Sequence, residues 1–169
     1  KTKQRIDRLK NFGIADELTV TAPGINGKMS EINAAFGLVQ LKHIDHAMQQ
    51  RQLIDTYYRT ALADVKGITL YQHNPDANSN YSYFPILIEA DYPLSRDELY
   101  DKLKASNILS RRYFYPLISN MPMYRGLPSA QASLLPFANQ LADKVLCLPI
   151  YHELTSLEQN TIINLIKQG

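Results

Sequence analysis

The chain has 169 residues, of which 18 are Lys or Arg and 16 are Asp or Glu, so its formal net charge is +2. A chain of this length buries roughly 70% of its unfolded surface, and its 45% hydrophobic and 20% charged residues exclude the disordered, collagen-like and low-complexity classes. So balanced a charge predicts no nucleic-acid partner and no attachment to an anionic membrane.

The single cysteine and the start of the chain bear on its setting and its extent. Cys147 can form no intramolecular disulfide, and no apolar run reaches the roughly 20 residues that span a bilayer, so we expect a cytoplasmic protein with no membrane partner. The chain opens on the charged Lys1 without an initiator methionine or a signal peptide, which indicates a piece of a longer protein.

The first predicted elements are helical and then extended. Apolar residues recur at helical spacing over 30–66, which predicts one long helix or two in series, with Gly67 as its stop. Strands are predicted at 68–72 and 83–89, joined as an antiparallel hairpin by the polar loop 73–80, which contains Pro75.

Helices and short strands then alternate. Ser95 and Glu98 form a capping box that starts a helix to about residue 106, and a strand follows at 108–115. Ser133 is predicted to cap a short helix with Pro136 in its first turn.

The chain closes on a strand at 145–148 and a terminal helix capped by Thr155 and Glu158. The residues of that helix predicted to face inward are Leu157, Ile162, Ile163 and Ile166. The element order predicts an α+β fold, in which helices cover one face of a small, largely antiparallel sheet that is preceded by the long helix.

Two segments are candidates for binding. The loop 22–28 places two glycines, Asn26 and Lys28 just before a helix N-terminus, where backbone N–H groups and the helix dipole favour an anion such as phosphate. A glycine turn followed by an ordinary cap explains the same residues.

The segment 111–116 joins two guanidinium groups to aromatic rings, a set that suits a diphosphate and a planar or sugar ring. Simple strand alternation with one solvated face is the alternative.

Other reactive residues point to no chemistry. Cys147 lies in an apolar strand, where we expect an inert thiol. His43, Asp45 and His46 share a helix, but the polar run around them is typical of a solvated face rather than of a metal site. No phosphate-binding loop, nucleophile elbow or paired-cysteine motif is present in the sequence.

Several runs resemble one known family. They are RLKNFGI at 8–14, GINGKMSEINAAFGLVQLKHID at 24–45, RRYFYPLISNMPMYR at 111–125 and VLCLPIYHELT at 145–155. Together they resemble the C-terminal part of the DegT/DnrJ/EryC1/StrS sugar aminotransferases, which are pyridoxal-phosphate (PLP) enzymes of the aspartate aminotransferase fold. The third run resembles the branch that acts on dTDP-linked keto-6-deoxyhexoses.

The resemblance implies three regions. Residues 1–29 would be an interdomain and dimer-interface segment, 30–66 the long helix and 67–169 the small C-terminal domain of a fold-type I PLP transferase. The N-terminal domain, which binds the cofactor and supplies the Schiff-base lysine, would be absent. The chain alone would therefore be inactive and hold no catalytic residue.

The resemblance also implies site residues and partners. In a homodimer, Asn26 would reach the cofactor phosphate of the neighbouring subunit, with a lesser part for Lys28, which replaces the arginine common in the family. Glutamate would be the amino donor and a nucleotide sugar the acceptor. The implied nucleotide-sugar contacts are Arg111, Arg112, Tyr113, Tyr115 and, more weakly, Ser119. A non-enzymatic nucleotide-sugar binding protein, or an interaction module that docks through the long helix, stays open as an alternative.

Overall fold

The computed structural model describes residues 1–74 and 76–169. Pro75, within the predicted loop 73–80, therefore lies outside the described residues. The chain divides into two compact units, Lys1–Asp45 and His46–Gly169, which are called unit 1 and unit 2 below.

Unit 1 is built from short elements. Helix α1 spans Thr2–Leu9, strands β1 (Ile14–Asp16) and β2 (Thr19–Val20) pair antiparallel, and helix α2 spans Glu31–Leu41. Ser30 caps α2, because its hydroxyl accepts a hydrogen bond from the backbone N–H of Asn33 at 3.3 Å. No hydrophobic side chain of this unit is fully buried, and α2 contains no buried residue at all.

The single helix predicted over 30–66 is wrong, and the alternative of two helices in series is confirmed. Helix α3 spans Ile44–Leu62 and is separated from α2 by a turn at Lys42 and His43. There the backbone N–H groups bond to carbonyls three residues back, Lys42 to Val39 at 3.1 Å and His43 to Gln40 at 3.0 Å. The shift from four-residue to three-residue spacing ends α2, although the apolar period runs on through the turn.

Unit 2 contains the predicted sheet. Strands β3 (Ile68–Leu70), β4 (Phe84–Ile88) and β5 (Val145–Leu148) pair antiparallel in the order β3-β4-β5. Ile68 lies opposite Ile88, which confirms the predicted hairpin. Alternate residues of β4 are buried, so that one face of the sheet meets the helices. The α+β class is confirmed.

Three further helices follow in unit 2: α4 (Arg96–Ala105), α5 (Pro136–Lys144) and α6 (Ser156–Lys167). Both predicted capping boxes are present, since Ser95 and Thr155 each exchange hydrogen bonds with the glutamate three residues on. Single 3₁₀ turns lie at Ile118–Asn120, Pro128–Ala130 and Ala132–Leu134.

The core of unit 2 lies between the sheet and helices α3, α4 and α6. Its fully buried side chains are mostly aliphatic, with one tyrosine and one phenylalanine: Tyr58, Leu62, Phe84, Ile86, Leu99, Leu103, Leu146 and Ile166. The Tyr58 hydroxyl donates to the carbonyl of Pro149 at 3.2 Å, and the buried Gln159 amide donates to the carbonyl of Ile54 at 2.7 Å. These two bonds satisfy the Tyr58 hydroxyl and the Gln159 amide in the interior.

Three local predictions are wrong. Of the strand predicted at 108–115 only Arg111 pairs, through a bridge to Cys147, because the aromatic residues that follow stack on side chains instead of extending the sheet. Ser133 lies in a 3₁₀ turn, and Leu135 occupies the N-cap of α5, although Pro136 does stand in its first turn. Leu157 is 78% exposed, since the buried stripe of α6 begins two residues later.

Gly67 is fixed by a close backbone approach. Its φ is +79°, and a Cβ added there would lie 2.3 Å from the backbone nitrogen of Tyr92. We therefore expect Gly67→Ala to lower the free energy of unfolding by about 2 kcal/mol or more, measured by urea denaturation. Gly37→Ala is the matched control, because nothing lies within 4 Å of its added Cβ and the position is helical. Equal stability of the two variants would contradict this account of Gly67.

Candidate functional site

Arg111 stands at the free edge of β5. Its backbone N–H donates to the carbonyl of Cys147 at 3.0 Å and its carbonyl accepts from the Cys147 N–H at 2.8 Å. This pairing fixes the main chain, while the Arg111 residue itself is exposed. The guanidinium is thus carried on a fixed backbone and is accessible to an anion.

Tyr113 pairs with a residue that sequence analysis did not single out. Its ring stacks on that of Tyr83 with 4.8 Å between centroids and 26° between planes, and the two hydroxyls are 2.9 Å apart. The hydrogen bond with Tyr83 raises the pKa of Tyr113 above its usual value. Thirty residues separate the two tyrosines, and the only signal in the sequence was the position of Tyr83 at the start of the predicted strand 83–89.

A cavity of about 650 Å³ opens beside Arg111 and Tyr83. Ile108 and Leu109, which follow α4, and Ile162 of α6 line it together with Cys147 and Tyr151. Pockets for small molecules commonly have this size and this mixture of apolar walls with a few polar groups. A cation and an aromatic ring therefore meet at one cavity of unit 2.

Arg112 and Tyr115 are held by α4 instead. Arg112 donates from Nη1 to Oδ1 of Asp97 at 2.9 Å, and its guanidinium lies 4.2 Å from the centroid of the Tyr100 ring. Burial opposes ionisation of Asp97, but the bonds from Arg112 and Arg96 outweigh it and lower the pKa of this carboxyl. The Tyr115 ring lies beneath the guanidinium of Arg96 at 4.5 Å. Of the two predicted arginines, Arg112 is thus engaged within the protein.

Ser119 lies apart from this arrangement. It occupies the middle of the 3₁₀ turn Ile118–Asn120 and is half-buried. The residues described as lining the cavity do not include it. The structure therefore brings Arg111, Tyr113 and Tyr83 together and leaves Ser119 outside the group.

The other candidate residues, Asn26 and Lys28, belong to unit 1. The loop that carries them is tied to the end of α1, where Ile25 N–H donates to the Leu9 carbonyl and Gly27 N–H to the Lys10 carbonyl, both at 2.8 Å. These two backbone donors, which the sequence suggested for an anion, are therefore already used. The side chains of Asn26 and Lys28 are both exposed and remain as the donor set of the loop.

Cys147 is 7% exposed, and burial raises the pKa of its thiol to about 11. Because the folded chain binds this proton more tightly than the unfolded chain, ionisation of the Cys147 thiol lowers the free energy of unfolding. The stability is complete below about pH 9, where the thiol is protonated in both states, and falls as the pH rises toward 11.

Alkylation by iodoacetamide at pH 8 should therefore be about a hundredfold slower in the folded chain than in the urea-unfolded chain, since the thiolate fraction falls tenfold per pKa unit. The unfolded chain serves as the control, because it carries the same single thiol. Similar rates in the two states would contradict the burial of Cys147.

His43 in the turn before α3 and His46 in α3 belong to no group of side chains among the described residues that could bind a metal. Within residues 1–74 and 76–169, no three His, Cys, Asp or Glu side chains are placed to hold a metal ion. None of the helices described for this chain combines the length and the apolar character needed to cross a membrane.

Comparisons with known proteins agree on one family. The dTDP-4-amino-4,6-dideoxy-D-glucose transaminase of Escherichia coli is 65% identical over 167 residues, which are 99% of this chain and 44% of that protein. Among solved structures, DesV of S. venezuelae is 27% identical with a TM-score of 0.86 and covers 98% of this chain and 43% of its own. DesI, crystallised in the presence of its TDP-sugar product, is 32% identical with a TM-score of 0.82 and covers 97% of this chain and 41% of its own.

This chain thus spans less than half the length of these relatives. The model of the DegT/DnrJ/EryC1/StrS aminotransferase family matches residues 1–167, nearly the whole sequence. The match is continuous and includes both candidate binding segments. The chain belongs to the DegT/DnrJ/EryC1/StrS aminotransferase family.

Proposed function

We propose that this chain is part of a PLP-dependent aminotransferase that moves an amino group from glutamate to the keto group of a dTDP-linked 4-keto-6-deoxyhexose. The observation that carries the proposal is the 65% identity to the Escherichia coli transaminase over 99% of this chain. The share of that protein that is matched, 44%, makes the activity a property of the full-length protein.

Unit 2 would hold the nucleotide sugar. The Arg111 guanidinium offers parallel N–H donors to a diphosphate, which a planar fork binds better than a point charge. The stacked Tyr83 and Tyr113 rings present a flat aromatic surface against which a sugar or a base can pack. These groups orient the substrate, and orientation is a large part of what a protein adds to such a transfer.

Unit 1 would contribute to the cofactor phosphate. The exposed amide of Asn26 and the ammonium of Lys28 are donors of the kind that a phosphate accepts, so the residues present fit the group. Asn26 would donate across a homodimer interface to the phosphate in the neighbouring subunit. When bound, PLP supplies the electron sink that carries the amino group between the two substrates.

A homodimer, a cytoplasmic location and glutamate as donor are parts of this proposal. The exposed apolar side chains of α2, among them Ile32, Phe36 and Leu38, support a partner surface in unit 1. The interaction-module alternative predicts the same exposure but no turnover, so that an activity measurement separates the two.

The test is amino transfer by the full-length protein. Incubation with PLP, glutamate and dTDP-4-keto-6-deoxy-D-glucose should yield a dTDP-amino sugar and one equivalent of 2-oxoglutarate, detected by mass spectrometry. Tight binding of the keto sugar nucleotide without product would favour the non-enzymatic binding protein. The absence of both binding and product would overturn the proposal.

A further inference from the structure

Arg96 is a buried charge in the first turn of α4. The residue is 6% exposed, and its Nη1 donates to the carbonyl of Ala142 in α5 at 2.7 Å. Its Nε lies 2.7 Å from Oδ1 of Asp97, and its guanidinium covers the Tyr115 ring at 4.5 Å. One side chain thus joins α4, α5 and the segment 111–116.

Asp97 extends this contact to a second residue of the same segment. Its Oδ1 accepts from Nη1 of Arg112 at 2.9 Å while it pairs with Arg96. The Arg112 guanidinium in turn lies on the Tyr100 ring at 4.2 Å. Arg96 and Asp97 therefore hold two residues of the segment: Asp97 bonds Arg112, and Arg96 packs on Tyr115. Arg96, Asp97 and Arg112 are called the α4 cluster below.

The segment has few other fixed points. Strand pairing ends at Arg111, whose two backbone bonds to Cys147 form an isolated bridge. Beyond it, the contacts of Arg112 and Tyr115 lead back to α4, and Tyr113 between them stacks on Tyr83. The direction of the chain after Arg111 thus depends on the α4 cluster.

We propose that Arg96 is a positioning residue for the nucleotide-diphosphate site, acting through Tyr115 and Arg112 on the segment that carries Arg111 and Tyr113. The inference rests on the proposed function for its ligand. That Arg96 anchors the segment 111–116 is a separate claim, which is measured without any ligand. A guanidinium suits this place because it can donate to a carbonyl and carry the charge that pairs with a carboxylate while an aromatic ring packs on its face.

The experiment compares Arg96→Ala with a matched arginine in the full-length protein. Arg59→Ala is the control, because Arg59 also bonds a carboxylate, that of Asp55 at 2.7 Å, and a carbonyl, that of Tyr71 at 2.6 Å, beside the ring of Phe84. None of these contacts lies in 111–116, so general destabilisation would affect both variants alike.

Two quantities are measured for each variant. Hydrogen exchange reports on the backbone N–H of Arg111, which donates to the Cys147 carbonyl at 3.0 Å, and calorimetric titration with dTDP gives its Kd. For Arg96→Ala we expect exchange of the Arg111 amide to accelerate at least about tenfold and the Kd to rise roughly tenfold, as displacement of a binding group costs on this scale. Arg59→Ala should leave both within about twofold of the parent. Arg96→Lys should fall between Arg96→Ala and the parent in both quantities, because it keeps the charge and loses the stacking plane.

Each outcome decides. Unchanged exchange in Arg96→Ala overturns the anchoring, and faster exchange with an unchanged Kd overturns the positioning role. Equal changes of exchange and Kd in Arg96→Ala and Arg59→Ala show general destabilisation and overturn the positioning role as well. A parent protein that does not bind dTDP overturns the proposed ligand, and the exchange measurement then still decides whether Arg96 anchors the segment.

Discussion

Replacing Arg111 by alanine in the full-length protein should raise the concentration of keto sugar nucleotide needed for half-maximal turnover about a hundredfold. This factor corresponds to the upper end of the range of about 1.5 to 3 kcal/mol for the loss of a charge-assisted contact, because the guanidinium offers two parallel N–H donors to the diphosphate. Glutamate carries no diphosphate, so its half-reaction should stay near the parent rate. Single turnovers that follow 2-oxoglutarate and the amino sugar nucleotide separately measure the two halves.

The conservative variant refines this result. Arg111→Lys keeps the charge but loses the planar fork, so we expect an intermediate loss of about tenfold. Lys167→Ala removes an exposed cation from the last turn of α6, away from the lining of the cavity, and should leave both half-reactions unchanged. Equal damage to both halves by Arg111→Ala would instead point to misfolding, and no damage would leave Arg111 a solvated residue at the sheet edge.

Asn26→Ala should weaken retention of PLP by the full-length dimer. The variant loses one hydrogen bond to a charged phosphate, which is worth about 1.5 to 3 kcal/mol, so the Kd for the cofactor should rise roughly ten- to a hundredfold. Cofactor remaining after dialysis, read from its absorbance, measures the change.

Asn33→Ala provides the control for this loss. Asn33 is an exposed asparagine of the same unit and lies in α2, where alanine is well tolerated. Parent-like retention by Asn26→Ala with an intact dimer would refute the role across the interface. A monomeric variant would place Asn26 in the association of the subunits rather than at the phosphate.

Local signals in the sequence predicted local structure well. The boxes of Ser95 with Glu98 and of Thr155 with Glu158 mark the starts of α4 and α6, because a cap is satisfied by residues within one turn. The apolar run 145–148 became β5 with the predicted bounds. The sequence left one helix or two in series open and did not locate the break, because the turn at Lys42 carries neither glycine nor proline and the apolar period does not register the change of hydrogen bonding.

Contacts between distant residues were beyond such signals. The pairing of Tyr83 with Tyr113 and the burial of Arg96 depend on how the sheet and α4 meet, which no short spacing encodes. Guanidinium groups and aromatic rings do lie together in the segment 111–116, but the engagement of Arg112 within the protein depends on Asp97, fifteen residues away in the sequence.

The uneven burial of the two units has a thermodynamic consequence. Among the described residues, every buried hydrophobic side chain belongs to unit 2, while the apolar side chains of unit 1 are exposed or half-buried. Since both the enthalpy and the heat capacity of unfolding follow the surface that unfolding exposes, a calorimetric transition of this chain belongs to unit 2. We therefore expect unit 1 to melt gradually and to contribute a sloping baseline rather than a second peak, so that a midpoint temperature describes only His46–Gly169.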